Sequence, residues 1–215
     1  MGRAKDIIVK VIPSKLANEF VKRHHYSGKV VNNSVLHFGA FLDGKLGGVM
    51  QYGNPIDKRN VLNLVETSNK GFNSKWNEML ELNRMAFSEI LPKNSESRCI
   101  AVSIRLIKKN APQVKWILSF ADGTQCGDGT IYRASGFKLT AINKNNTIVK
   151  LPNGQVMAKH GTSKKNFTGA VRLPGNQLRY IYLISKNSSL NCANIPFSKI
   201  KEAGAGMYKG EKTGG

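Results

Sequence analysis

Acidic side chains are scarce in this chain. Only 13 Asp and Glu residues stand against 33 Lys and Arg across 215 residues, which leaves a formal net charge of +20. An excess of that size disfavours a basic protein as substrate and favours a polyanion, either nucleic acid or an anionic membrane surface. Cysteine is scarce as well. Cys99, Cys126 and Cys192 are widely separated and no C-x-x-C occurs, so neither a structural zinc site nor a disulfide framework is supported, and a reducing, cytoplasmic setting is expected. The same gap excludes a zinc-dependent base deaminase, which needs H-x-E together with C-x-x-C. Long hydrophobic runs are missing too. None approaches the ~20 residues of a membrane span, so no membrane partner is expected. The first residues, Met-Gly-Arg-Ala-Lys-Asp, lack the Ser or Thr of a myristoylation signal and show no signal peptide.

What is present supports a folded domain. Apolar residues make up 40% of the chain, enough for one core. A single domain is expected over residues 1–200, followed by a disordered Gly/Lys-rich basic tail over 201–215. Asp6 to Pro13 reads as a strand ended by proline. Ser14 is a good N-cap for a helix over Lys15 to His25, with Leu16, Phe20 and Val21 on one face. Val35 to Leu42 and Leu46 to Tyr52 read as a hairpin turned at Asp43-Gly44-Lys45. Asn54 to Asn77 is polar and loop-like, with a short helix near Val61 to Val65, and Met79 to Phe87 reads as a strand. A helix is expected from Asn94 to about Asn110, with Ile100, Ser103, Ile104 and Ile107 on one face and Pro112 just beyond its end. Val114 to Phe120 is a buried strand, and the segments beginning at Lys138, Thr147, Gln155 and Arg179 are strand-like. That order predicts an α/β (α+β) fold, a mixed sheet with helices on its faces.

The stretch from Ser119 to Phe137 carries the clearest chemistry. An apolar strand stops at a carboxylate, Asp122, passes a turn containing Gly123, Gly127 and Gly129, and hands over to a short helix that carries Tyr132 and closes at Gly136. Many α/β enzymes build a site at a strand's C-terminal end in this way. The glycines either let backbone N–H groups approach a ligand or only permit the turn.

Four further groups stand out. His24-His25-Tyr26-Ser27-Gly28 puts titratable side chains just past the first helix, where acid–base work and a favourable helix-dipole contact are both open readings. Glu81-Leu82-Asn83-Arg84 places Glu81 and Asn83 on one strand face and Leu82 and Arg84 on the other. An arginine buried there needs an anionic partner, either a structural salt bridge or a substrate. At Asn94 to Arg98, Ser95 and Ser97 open a helix whose free N–H groups suit phosphate, and Arg98 adds charge. Lys159, His160, Lys164 and Lys165 lie in a loop of the kind that touches a nucleic-acid backbone, with a solvated basic turn as the alternative. His25 and Asp122 supply two of the three ligands a non-haem iron site wants, and no third is singled out.

Taken together, His24-His25-Tyr26-Ser27, Glu81-Leu82-x-Arg84, Asn94-Ser95-x-Ser97-Arg98 and Ser119-Phe-Ala-Asp122 followed by Gly-x-Ile-Tyr132-x-Ala-x-Gly136-Phe resemble the Mom family of phage DNA-modification proteins. The match spans roughly residues 15 to 169. The resemblance implies a GCN5-related N-acetyltransferase-like fold, with a mixed, mostly antiparallel central sheet flanked by helices. It implies N6 modification of adenine in double-stranded DNA by a carbamoylmethyl (acetamido) group that protects phage DNA from restriction. It also brings acetyl-CoA and iron as associated cofactors. His25, Tyr26, Arg84, Asp122 and Tyr132 sit at the family's active-site positions, and Ser103 lies on the candidate cofactor helix with Ser95, Ser97 and Arg98. The superfamily's Arg/Gln-x-x-Gly-x-Gly/Ala pyrophosphate loop is missing, and the serine-rich Asn94 to Arg98 start stands in its place.

Other classes compete. A related acetyltransferase acting on an RNA amine fits the charge. A non-catalytic basic DNA-binding protein would show steeply salt-dependent binding and no covalent product, and it would leave His25, Arg84, Asp122 and Tyr132 as polar intrusions without a role. An adenine methyltransferase is excluded, because Asn54-Pro55 continues as Ile56-Asp57 rather than Pro-Tyr/Phe, and no Phe-x-Gly-x-Gly loop occurs.

Overall fold

In chain order the elements are β1 (Ile8–Val11), α1 (Ser14–His24), β2 (Ser34–Leu42), β3 (Lys45–Gly53), β4 (Val65–Glu66), β5 (Met79–Phe87), α2 (Ser95–Asn110), β6 (Trp116–Asp122), α3 (Thr130–Ala134), β7 (Lys138–Lys144), β8 (Ile148–Lys150), β9 (Val156–Ala158), β10 (Val171–Arg172), β11 (Asn176–Leu183), β12 (Ser189–Leu190) and α4 (Ser198–Glu202). The computed structural model describes residues 3–55, 57–68, 73–122, 127–145, 148–158, 167–173, 175–203, 207–208 and 211–212. Lys159, His160, Lys164 and Lys165, with Gly123 and Cys126, lie outside the described residues. Of the tail over 201–215, the stretches 207–208 and 211–212 pair as short antiparallel strands.

The central sheet has seven strands in the order β1-β2-β3-β5-β6-β11-β7. Every neighbouring pair is antiparallel except β5 and β6, the mixed, mostly antiparallel sheet expected. Local chemistry explains the elements. The β2–β3 turn puts Asp43 (φ 50°) and Gly44 (φ 75°) in the left-handed region, the two-residue hairpin turn whose twist matches the strands. Arg3 then grips Asp43 with two hydrogen bonds of 2.8 and 2.6 Å. Ser14 does not cap α1 as expected. Pro13 holds the N-cap position and Ser14 is the first helical residue. At the other end His25 leaves the helix with extended backbone (φ −84°, ψ 135°).

Helices cover both faces of the sheet. On β3, Val49 packs with Ala17, Phe20 and Val21 of α1, while its neighbour Met50 packs with Ile100, Ile104 and Ile107 of α2, because successive strand residues point to opposite sides. Burying each of those isoleucines stabilises the fold by about 1.5–3 kcal/mol relative to exposure. None of the described helices is long and apolar enough to cross a membrane.

Two irregularities position the site. The pairing of β3 with β5 runs Gln51↔Arg84 and then Tyr52↔Leu82, so Asn83 is an extra residue, a bulge that reverses the alternation. Gln51 hydrogen-bonds Asn18 of α1, whereas Tyr52 bonds Ser103 of α2. Arg84 therefore faces α1 while Leu82 faces α2, which corrects the shared face read from simple alternation. The second irregularity is the parallel pair, in which β5 and β6 are in register only from Met79↔Trp116 to Leu82↔Ser119. Beyond that β5 stays with β3 as far as Phe87 and β6 stays with β11 as far as Asp122. The two facing edges diverge.

Candidate active site

The divergence of β5 from β6 opens a cleft of about 860 Å³. His25, Tyr26, Arg84, Asp122 and Tyr132 all line it, so residues scattered over four elements converge on one space. Asp122 is the last residue of β6, half-buried and in register with Gln177 of β11. Tyr26 stands at the rim, 56% exposed, with its ring centroid 4.3 Å from that of His25.

His25 is held by the turn that follows it. Ser27 donates its backbone N–H to Nδ1 at 3.1 Å, and its hydroxyl lies 2.8 Å from the same nitrogen. A ring nitrogen that accepts a backbone N–H carries no proton, so the neutral ring bears its hydrogen on Nε2. Burial, then the charge of Arg84, pull the His25 pKa down to about 4, and the imidazole is neutral at pH 7. Arg84 donates Nε to the Lys29 carbonyl at 3.2 Å and Nη1 to the Asn83 carbonyl at 3.0 Å. Among the described residues it has no ion pair within 4.0 Å, and these two carbonyls are what hold it there.

Glu81 shares the α1 face with Arg84. Burial pushes its pKa up to about 7, and Arg84 only partly offsets this. These two shifts give opposing pH dependences. The folded state resists protonating His25, so its contribution to stability falls as pH drops from about 6.5 to about 4. The folded state favours protonated Glu81, so its contribution falls as pH rises from about 4.5 to about 7. Relative to wild type, Glu81→Gln is therefore expected to make the slope of unfolding free energy against pH more positive between pH 4.5 and 6.5, and His25→Asn to make it less positive, both read by urea denaturation across that window.

Tyr132 is fixed by aromatic neighbours. It is 7% exposed, stacks on Tyr180 with centroids 5.0 Å apart and meets Phe137 edge-on at 5.4 Å. The Tyr180 hydroxyl donates to the Asp128 carbonyl. Between them Gly129 has φ 71°, and a Cβ there would lie 2.6 Å from the Tyr180 hydroxyl oxygen. Asp128 Oδ1 accepts the Thr130 N–H at 3.0 Å and so steadies the start of α3.

The candidate cofactor residues sit elsewhere. Ser95 is buried and donates its hydroxyl to the Pro92 carbonyl. Ser97 offers its carbonyl to the Ser135 hydroxyl, and Arg98 donates to the Lys5 carbonyl at 3.1 Å. Ser103 is fully buried, bonded to the Tyr52 hydroxyl at 2.6 Å and the Ile100 carbonyl at 2.8 Å. None of the four lines the cleft, whereas Glu96, from the same first turn of α2, does. Asn83 and Asp128 also line it. Asp128 had a legible signal, standing between two turn glycines, but the place of Asn83 depends on a bulge visible only in the register. Among the described residues no group of three His, Cys, Asp or Glu side chains comes together to hold a metal. Among the described residues, then, no third such side chain joins His25 and Asp122.

Comparison with known proteins gives a consistent family signal. The model of the Mom protein family matches residues 6–199. Methylcarbamoylase mom of Escherichia phage Mu is 41% identical over 138 residues, 62% of this chain and 53% of that protein, so the match spans about half the length of the curated relative. Among solved structures, a Bacillus subtilis acetyltransferase in complex with CoA superposes with a TM-score of 0.51 at 11% identity, over 82% of this chain and 98% of that one. An IAA acetyltransferase from Bacillus cereus gives 0.51 at 12% identity, over 82% and 99%. The ribosomal-protein-S18-alanine N-acetyltransferase of Escherichia coli gives 0.50 at 11%, over 83% and 94%. At such identities the structures establish a shared fold.

Proposed function

The chain belongs to the Mom protein family, and from that premise we propose that its cleft transfers a carbamoylmethyl group to the N6 amine of adenine in double-stranded DNA, protecting phage DNA from restriction. The observation that carries this reading is the convergence of His25, Tyr26, Arg84, Asp122 and Tyr132 on one cleft in a chain of net charge +20. A non-catalytic DNA binder has no use for that convergence.

The physical account begins with DNA held by surface charge, with nonspecific dissociation constants on the order of 10⁻⁴–10⁻⁶ M at physiological salt. The N6 hydrogens lie within the base pair, so the adenine must leave the stack, at a cost of a few kcal/mol. Tyr26, aromatic and at the rim, offers a surface on which the extruded base stacks. The Asp122 carboxylate orients the amine and takes its proton as the new bond forms. Arg84, whose guanidinium is tied on one side to two backbone carbonyls, directs its remaining donors to a carbonyl oxygen of the transferred group. His25 stays neutral and donates from Nε2, and the rigid Tyr132 donates to the departing group.

An acyl-CoA fits the cleft by one structural criterion. Beyond Leu82 and Ser119 the facing edges of β5 and β6 no longer pair with each other, and a chain bearing amides would fit between two such edges. The N–H groups of the first turn of α2, from which Glu96 reaches the cleft, would offer the phosphate contact, while Ser95, Ser97 and Arg98 are tied to Pro92, Ser135 and Lys5. When bound, such a thioester would supply a carbonyl carbon open to attack by an amine, with the CoA thiolate as leaving group; the methylene-to-N6 bond and the amide nitrogen of a carbamoylmethyl group need a donor that already carries that nitrogen and is activated at its methylene.

Mass spectrometry of nucleosides from cells expressing the protein tests the reading. A modified deoxyadenosine in DNA is the expected result. Acetylated ribonucleosides without it would move the substrate to RNA, and DNA binding without any covalent product would end the enzymatic reading.

A further inference from the structure

The cleft has to be brought against a duplex, and the basic loop singled out in the sequence lies outside the described residues. The turn that closes α1 offers a second place. Lys22 and Arg23 end the helix, Lys29 follows four residues after His25, and all three are exposed. Residues 20–42 contain no Asp or Glu, and among the described residues none of the three cations is in an ion pair. Their charge is unneutralised within the fold.

The turn is also rigidly joined to the cleft. His25 N–H bonds the Val21 carbonyl and Gly28 N–H bonds the His25 carbonyl, at 2.9 and 2.8 Å. Lys29 N–H bonds the Ser27 hydroxyl at 3.3 Å, and the Lys29 carbonyl accepts Arg84 Nε at 3.2 Å. His24, His25 and Tyr26, between the cations in sequence, line the cleft. A fixed turn with free cations outward and an aromatic rim inward has the layout of a phosphate-contacting edge beside a base-accepting pocket.

We propose that Lys22, Arg23 and Lys29 form the DNA-backbone contact that seats the duplex over the cleft, gripping the phosphates that flank the extruded nucleotide. This rests on the adenine-modification reading and deepens it by naming the surface that holds the substrate. A purely structural use of the same cations, as favourable charge at the negative end of a helix dipole, makes a different prediction, because it touches stability and not DNA.

Binding of the full chain to an unmodified duplex of about 25 base pairs, measured by fluorescence anisotropy over a range of salt concentrations, separates the two. Each of Lys22→Ala, Arg23→Ala and Lys29→Ala is expected to reduce the slope of log affinity on log salt by about 0.9. Between 50 and 200 mM salt, the wild-type affinity is then expected to fall about fortyfold more than that of the triple variant. Thermal unfolding of the variants should stay close to wild type, which guards against a folding defect. If the wild-type protein binds and the triple variant keeps its salt slope, the surface is wrong while the functional reading stands. If the wild-type protein binds no DNA at all, both fall.

Discussion

Asp122→Ala is expected to lower DNA modification by about 10²–10⁴-fold, the usual size of a lost general base. The carboxylate ends β6 where the strand leaves its parallel partner, so it meets the cleft from a backbone fixed by pairing with β11. Asp122→Asn makes the sharper test. The amide keeps the shape and some of the hydrogen bonding but takes no proton, so its loss should approach that of alanine. Quantifying modified deoxyadenosine in DNA from cells making each variant at equal protein level decides it. Full modification by either variant removes Asp122 from the chemistry.

Gly129→Ala is expected to damage both stability and activity. A non-glycine residue at φ 71° costs about 1–2 kcal/mol, and the new methyl, 2.6 Å from the Tyr180 hydroxyl oxygen, forces a shift worth about 1–3 kcal/mol more. Tyr180 carries Tyr132 by stacking and ties the Asp128 carbonyl, so a displaced ring moves one wall of the cleft. Denaturant midpoints report the stability loss, and nucleoside analysis reports the activity. Tyr180→Phe, which removes the hydroxyl but keeps the ring, should cost less in both. If Gly129→Ala unfolds at the wild-type denaturant midpoint, the close approach of Tyr180 does not constrain this position.

Much of the fold is legible in local pattern. Hairpin β2–β3 follows from Asp43-Gly44, the buried face of α2 from Ile100, Ser103, Ile104 and Ile107, and the end of β6 at Asp122 and the short α3 carrying Tyr132 from their local pattern. These signals are local because they depend on turn chemistry and on periodicity within one element. What Ser95, Ser97 and Arg98 touch is not legible in this way. Where a side chain points depends on what packs against it, and here Ser95 turns back to Pro92 and Arg98 turns to Lys5. Ser103 shares a helical face with isoleucines, and that face proved to be core.

Composition and short-range spacing set the charge of this protein, the order of its elements and the chemical character of its candidate site, since these are properties of the chain. Tertiary structure alone decided that His25, Arg84, Asp122 and Tyr132 meet, because their meeting depends on two strands parting after four paired positions. It alone turned Arg84 towards α1 through one extra residue in β5. It also gave Gly129 its reason, the ring of Tyr180 from a distant strand. A register and a close approach are relations between segments, and no single segment encodes them.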